Sequence, residues 1–231
     1  MKSMVNGQWS GNDGQQTVAN GGRHILIKIT AHFISYLFHP LFIPVYIIVF
    51  LIFNHPSYFA GFSEYDKYKL LLTTALNTVF FPALSVLLMK GLGFIKSVFL
   101  PTQQERIAPY LSAMIFYFWT AWVYFKFVPQ PSLAIASFMT GVFLTTVAAL
   151  LSNIYFKISM HAMGAGGFVG FFIIIMQSNT MLMTWPLSIA LLIAGLICTS
   201  RLLISDHRPK EIYWGLLAGL LCQFVAAAAI L

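Results

Sequence analysis

Charge is scarce in this sequence. Six acidic residues and thirteen lysines and arginines make up 8% of 231 residues. Soluble domains carry about 25% charged residues, so an ordinary water-facing globule is excluded. Cysteine is nearly absent as well. Cys198 and Cys222 both fall inside apolar segments, which excludes a disulfide framework or a zinc-binding cysteine spacing. The first 27 residues lack an apolar core followed by a small-residue cleavage site, so no signal peptide is predicted there. Basic residues are dispersed rather than clustered, and no nucleic-acid surface is expected. No internal repeat is visible.

What is present is apolar. Hydrophobic residues make up 59% of the chain and the mean hydropathy is +0.81. The expected fold is an all-α, polytopic transmembrane helix bundle in a cell membrane. A flexible polar tail covers residues 1–27, and one membrane domain covers 28–231. A span takes about 20 apolar residues. The apolar stretches run over about 31–53, 70–89, 110–128 and 132–155. Pro129 and Pro131 close the third. Residues 164–204 are too long for one span and divide at a turn near 179–186; the last stretch runs over 212–231. The count is about seven spans. Pro40, Pro44 and Pro82 kink or break the first two, which makes six the alternative. Aromatics around 117–124, Trp185 and Trp214 suit interfacial belts. Gly164, Gly166, Gly167 and Gly170 suit close helix packing.

Three polar islands interrupt this pattern. The first, 101–109, offers Glu105 and Arg106. The second, 157–161, offers Lys157, Ser159 and His161. The third, 200–211, offers Arg201, His207 and Glu211. Two spans separate each island from the next, so all three face one side of the membrane. His207 and Glu211 are four apart, a spacing that puts them on one helical face. A carboxylate there can orient the imidazole as a nucleophile, and arginine forks suit phosphate oxygens. Each residue also has a plain structural role. Pro209 and Glu211 suit a helix start, Ser159 a helix cap, Arg106 a positive-inside loop, and His161 an interfacial helix end.

The islands resemble the motifs of the type-2 phosphatidic acid phosphatase superfamily, which includes bacterial acid phosphatases and vanadium haloperoxidases. The family's third motif, Ser-Arg, five residues, His, three residues, Asp, reads here Ser200-Arg201, His207 and Glu211. Its second, Pro-Ser-Gly-His, reads Ile158-Ser159-Met160-His161. Its first, Lys, six residues, Arg-Pro, keeps Arg106, with Phe99 in the lysine position and Pro109 displaced. The resemblance covers about residues 95–215. It implies an integral membrane phosphatase that needs no metal or cofactor and acts on a lipid phosphate. His207 is then the nucleophile, Glu211 its orienting acid and His161 the acid–base. Arg106, Arg201 and Ser159 bind the phosphate. Lys96 and Lys157 are the candidates to replace the missing lysine. The loss of that lysine and of the second-motif glycine motivates an alternative: an inactive relative that binds or transports an anionic lipid.

Two further readings concern position. His32 and His39 are seven apart and suit a haem between helices if another span supplies a partner; His24 and His55 read as loop residues. With the N-terminus inside, ten of the thirteen lysines and arginines lie on the islands' side and three (Lys67, Lys69 and Lys126) on the other. That bias favours a cytoplasmic site. The sequence thus predicts that Arg106, His161, Arg201, His207 and Glu211 meet in one pocket, with Glu211 hydrogen-bonded to the His207 nitrogen that faces away from the phosphate.

Overall fold

The computed structural model describes residues 12–59, 61–127, 133–178, 184–204 and 207–231. These form an all-α chain. In order, the helices are α1 (Asn12–Leu37), α2 (Ile43–Asn54), α3 (Glu64–Ala75), α4 (Phe81–Gly91), α5 (Gln103–Phe127), α6 (Leu133–Tyr155), α7 (Met160–Ser178), α8 (Thr184–Ile204) and α9 (Pro209–Ile230). A 3₁₀ turn over Pro56–Phe59 follows α2, and a π-helical turn over Leu76–Phe80 joins α3 to α4.

Five described stretches are long and apolar enough to cross a membrane: Glu64–Gly91, Leu133–Tyr155, Met160–Gln177, Thr184–Ile204 and Pro209–Ile230. The expected count of seven needs correction at its first member. Residues 31–53 are two short apolar helices, not one span. Pro40 has no N–H to donate and disfavours helical geometry at His39, so α1 stops at Leu37. Pro44 lies in the first turn of α2, where a missing N–H costs nothing. Helix α1 also extends back to Asn12, so 12–27 and His24 are helical rather than tail or loop; residues 1–11 lie outside the described residues. So do Pro129, Pro131 and residues 179–183 of the expected turn. Helix α5 is not among the five, although its 25 residues span about 38 Å. Its three tyrosines, two tryptophans and polar first turn lower its hydropathy.

Those aromatics need a second correction. Tyr117 and Tyr124 are 6% and 2% exposed, while Trp119 and Trp122 stay on the surface. The tyrosines turn inward because each finds a polar partner there. Tyr124 Oη lies 2.6 Å from Thr74 Oγ1, and Tyr117 Oη donates to the Thr78 carbonyl at 3.5 Å. Thr74 precedes the π-helical turn ahead of Pro82 and Thr78 lies within it, so α5 braces the irregular stretch that this proline requires.

The centre of the molecule is α7, packed against α9, α8 and α6. Small residues set the α7–α9 distance. A Cβ on Gly166 would collide with the Leu216 carbonyl, and one on Gly219 with the Met163 carbonyl. The two backbones are in direct contact, as the glycine cluster predicts. Gly219→Ala should therefore cost about 2–3 kcal/mol by over-packing and lower the melting midpoint of the detergent-solubilised protein. Gly195, on α8, meets open space. There Gly195→Ala should raise the midpoint, by about 1 kcal/mol of helix propensity.

Candidate functional site

The site is assembled at three helix starts. At α5, Thr102 and Glu105 bond reciprocally. Thr102 Oγ1 accepts the Glu105 amide at 3.3 Å and donates to Glu105 Oε2 at 3.1 Å. This Thr-x-x-Glu pairing is the side-chain half of a capping box. Glu105 Oε1 also accepts the Lys96 amide at 3.0 Å. That amide, helped by Thr102, holds the Glu105 carboxyl below the usual carboxylate range. Arg106 follows directly, and its Nε donates to the Leu100 carbonyl at 2.9 Å. Leu100 is held at φ +49, a left-handed conformation that a bulky residue adopts only under external constraint. The loop thus turns its backbone to grip the guanidinium.

At α7, Ser159 caps the helix, its Oγ accepting the Ala162 amide at 3.4 Å. Ser159 is fully buried and is not among the residues lining the cavity described below. Its plain capping role is therefore the one the structure displays. Its amide donates to the Glu211 carbonyl at 3.4 Å, which ties the second island to the third. His161, one turn into the bundle, has Nε2 at 3.2 Å from the Ser35 carbonyl. A carbonyl can only accept, so Nε2 carries a proton and Nδ1 is left to exchange one.

At α9, Pro209 is the first helical residue and Glu211 lies in the first turn. Glu211 Oε2 accepts from His207 Nδ1 at 2.7 Å and from the Arg208 amide at 3.3 Å. The helix-start role and the imidazole-orienting role expected from the sequence are filled by the same carboxylate. With Nδ1–H donated to Glu211, the second nitrogen of a neutral His207, Nε2, keeps its lone pair. Ser205 and Asp206 lie outside the described residues.

Arg106, His161, Arg201 and His207 line one cavity of about 680 Å³. Glu211 lies behind His207. All five residues expected to converge therefore do so, and Ser159 stands apart. Met160 and Phe99 also line the cavity. The cavity continues among apolar side chains to Tyr117, Phe138 and Gln223.

Positive groups crowd the polar end. Arg106 and Arg201 interact electrostatically. Burial, with Arg201 and Lys157 nearby, pushes the His207 pKa down, against the upward pull of Glu211. Of Lys96 and Lys157, Lys157 is the one that acts on His207. Lys96 is exposed.

Sequence reasoning missed α1. His32, Ser35, Tyr36 and His39 line the same cavity, at the i, i+3, i+4, i+7 spacing of one helical stripe. That spacing was legible; the polar residues on an apolar helix were the signal. The His39 and His161 rings meet edge to face with centroids 5.0 Å apart, too close for a haem iron between them. His55, expected in a loop, lies just past α2 and is buried. Among the described residues, no three His, Cys, Asp or Glu side chains are grouped to hold a metal ion.

No family model, curated protein or solved structure matches the chain. The site's chemistry is accordingly read from its own residues.

His39 gives a pH test. Burial first, then Arg201, lowers its pKa to about 4 from 6.5. The unfolded chain therefore binds a proton that the folded chain rejects. Stability is full above pH 6.5 and is lost as pH falls toward 4, by on the order of 3 kcal/mol. The melting midpoint in detergent should drop across that window, and His39→Gln should flatten the drop. A slope unchanged by that substitution would show that other groups carry it.

Proposed function

We propose that this chain is an integral membrane phosphatase that hydrolyses a lipid phosphate through a phosphohistidine. The observation that carries the reading is the His207–Glu211 contact at 2.7 Å, at the edge of a cavity that Arg106, Arg201 and His161 also line. His207 Nε2 attacks phosphorus while the bond to the leaving oxygen breaks, and protonated His161 gives that oxygen its proton. Water, deprotonated by His161, then attacks the phosphohistidine and releases phosphate. Arg106 and Arg201 neutralise the oxygens of the transferring group. Glu211 holds the His207 tautomer that leaves Nε2 free to attack. The apolar continuation of the cavity suits a buried tail. Phosphatidate, phosphatidylglycerophosphate and polyprenyl diphosphate all have the required head and tail. The charge bias favours the cytoplasmic face of the cell membrane.

A second reading is a pocket that holds or moves an anionic lipid without turnover. Ser159 bonded to a backbone amide, and Phe99 in the lysine position, favour it. Turnover decides between the two. Purified protein should release phosphate from lipid phosphates in the presence of a chelator. His207→Ala should reduce release by roughly 10³-fold or more, and Glu211→Gln by less. Lipid binding without release, unchanged by His207→Ala, would establish the second reading instead.

A further inference from the structure

Ser35 is the buried polar group that this mechanism does not use. It is 4% exposed and lines the cavity, yet its Oγ has no hydrogen-bond partner among the described residues. Helical hydroxyls elsewhere in the chain bond back to the carbonyl four residues earlier. Thr30, on the same helix, does so to Leu26 at 2.9 Å, and Thr74, Thr145 and Ser200 do likewise. Ser35 forgoes that bond, although the Ala31 carbonyl is one turn away. A buried hydroxyl without a partner costs about as much as a lost hydrogen bond, and a ligand oxygen in the cavity would recover it.

His39 stands one turn further along the same stripe. Its Nδ1 accepts the Leu41 amide at 3.4 Å, so Nε2 carries the proton and is a donor. Ser35 and His39 both touch His161, the first through its carbonyl and the second ring to ring. They therefore border the group that protonates the leaving oxygen. The cavity offers two kinds of donor. Arg106 and Arg201 are cationic and suit oxyanions. Ser35 and His39 are neutral donors, which suit neutral oxygens, and Arg201 is close enough to act on His39.

We propose that α1 forms a leaving-group subsite, in which Ser35 Oγ and His39 Nε2 donate to neutral oxygen atoms of the alcohol released from the phosphate. This deepens the phosphatase reading and rests on it. The substrate class is then a phosphate monoester of a lipid whose leaving alcohol bears a further hydroxyl or ester oxygen, as a glycerol does.

The test compares three amphiphiles of matched tail on the full chain in detergent: lauroyl-glycerol phosphate, dodecyl phosphate and dodecyl diphosphate. The glycerol ester should have the highest kcat/KM. Ser35→Ala removes one hydroxyl without adding bulk. It should lower the preference for the glycerol ester over dodecyl phosphate by roughly 3- to 10-fold, the worth of one hydrogen bond. Ser35→Thr, which keeps the donor, should retain most of the preference. His39→Phe should lower it and His39→Gln should partly restore it. Equal rates on the two monoesters, a preference for the diphosphate, or a Ser35→Ala defect equal on all three would overturn the subsite. If no phosphate is released from any of them, the phosphatase reading fails. The same ligands' thermal-shift affinities then decide the subsite: a Ser35-dependent preference for the glycerol ester supports it, and its absence overturns it.

Discussion

The Glu211 carboxylate accepts from two donors at once, the His207 ring and the Arg208 amide. The amide bond belongs to the start of α9, and every helix start has such orphan donors to satisfy. The ring bond belongs to the site. Because one oxygen serves both, the imidazole is fixed to the helix axis rather than to a loop. Its orientation therefore follows from the packing of α9, which the glycines of α7 set. A carboxylate one methylene shorter would have less reach for both. That gives a physical reason for glutamate at this position: the acid's first task is to cap the helix that carries it.

The same economy recurs at the other islands. The Glu105–Thr102 pair starts α5 one residue before Arg106. The Ser159 hydroxyl starts α7 two residues before His161, and its amide reaches the Glu211 carbonyl. Arg201 sits in the last turn of α8, whereas Arg106, His161, His207 and Glu211 sit in the first turn of a helix, or just before it. There the backbone amides point outward and the helix dipole favours anions.

The convergence of the islands was legible because it depends on parity alone: two crossings return the chain to the same side whatever the exact helix ends. The His207–Glu211 contact was legible because four residues make one helical turn. The first span was not. Its apolar run is continuous through His39, and only the local geometry that Pro40 imposes divides it. The role of Ser159 was open between cap and ligand, since one hydroxyl suits both, and the burial that separates them is a tertiary property. The α1 stripe was visible as spacing, but His32 and His39 drew attention as a pair of metal ligands. Ser35 between them carried no signal until its missing back-bond was seen. Tyr117 and Tyr124 were misread for the same kind of reason: an amphipathic ring suits a membrane interface and a buried hydrogen bond equally well.

The cavity also sets a balance between stability and function. Arg106, Arg201 and four histidines line one cavity, with Lys157 close enough to act on His207, and like charges there repel more strongly than in water. The histidines relieve part of the repulsion by staying neutral, as the lowered pKa values of His39 and His207 indicate. The arginines cannot lose their protons. An empty site is therefore the less stable state, and an anion that enters it neutralises charge that the fold must otherwise tolerate. The free energy released on binding is then partly the relief of that repulsion, and it appears as added stability of the loaded protein. A neutral α1 wall is consistent with this arrangement. A further cation there would deepen the repulsion in the empty state, whereas Ser35 and His39 line the cavity without adding charge.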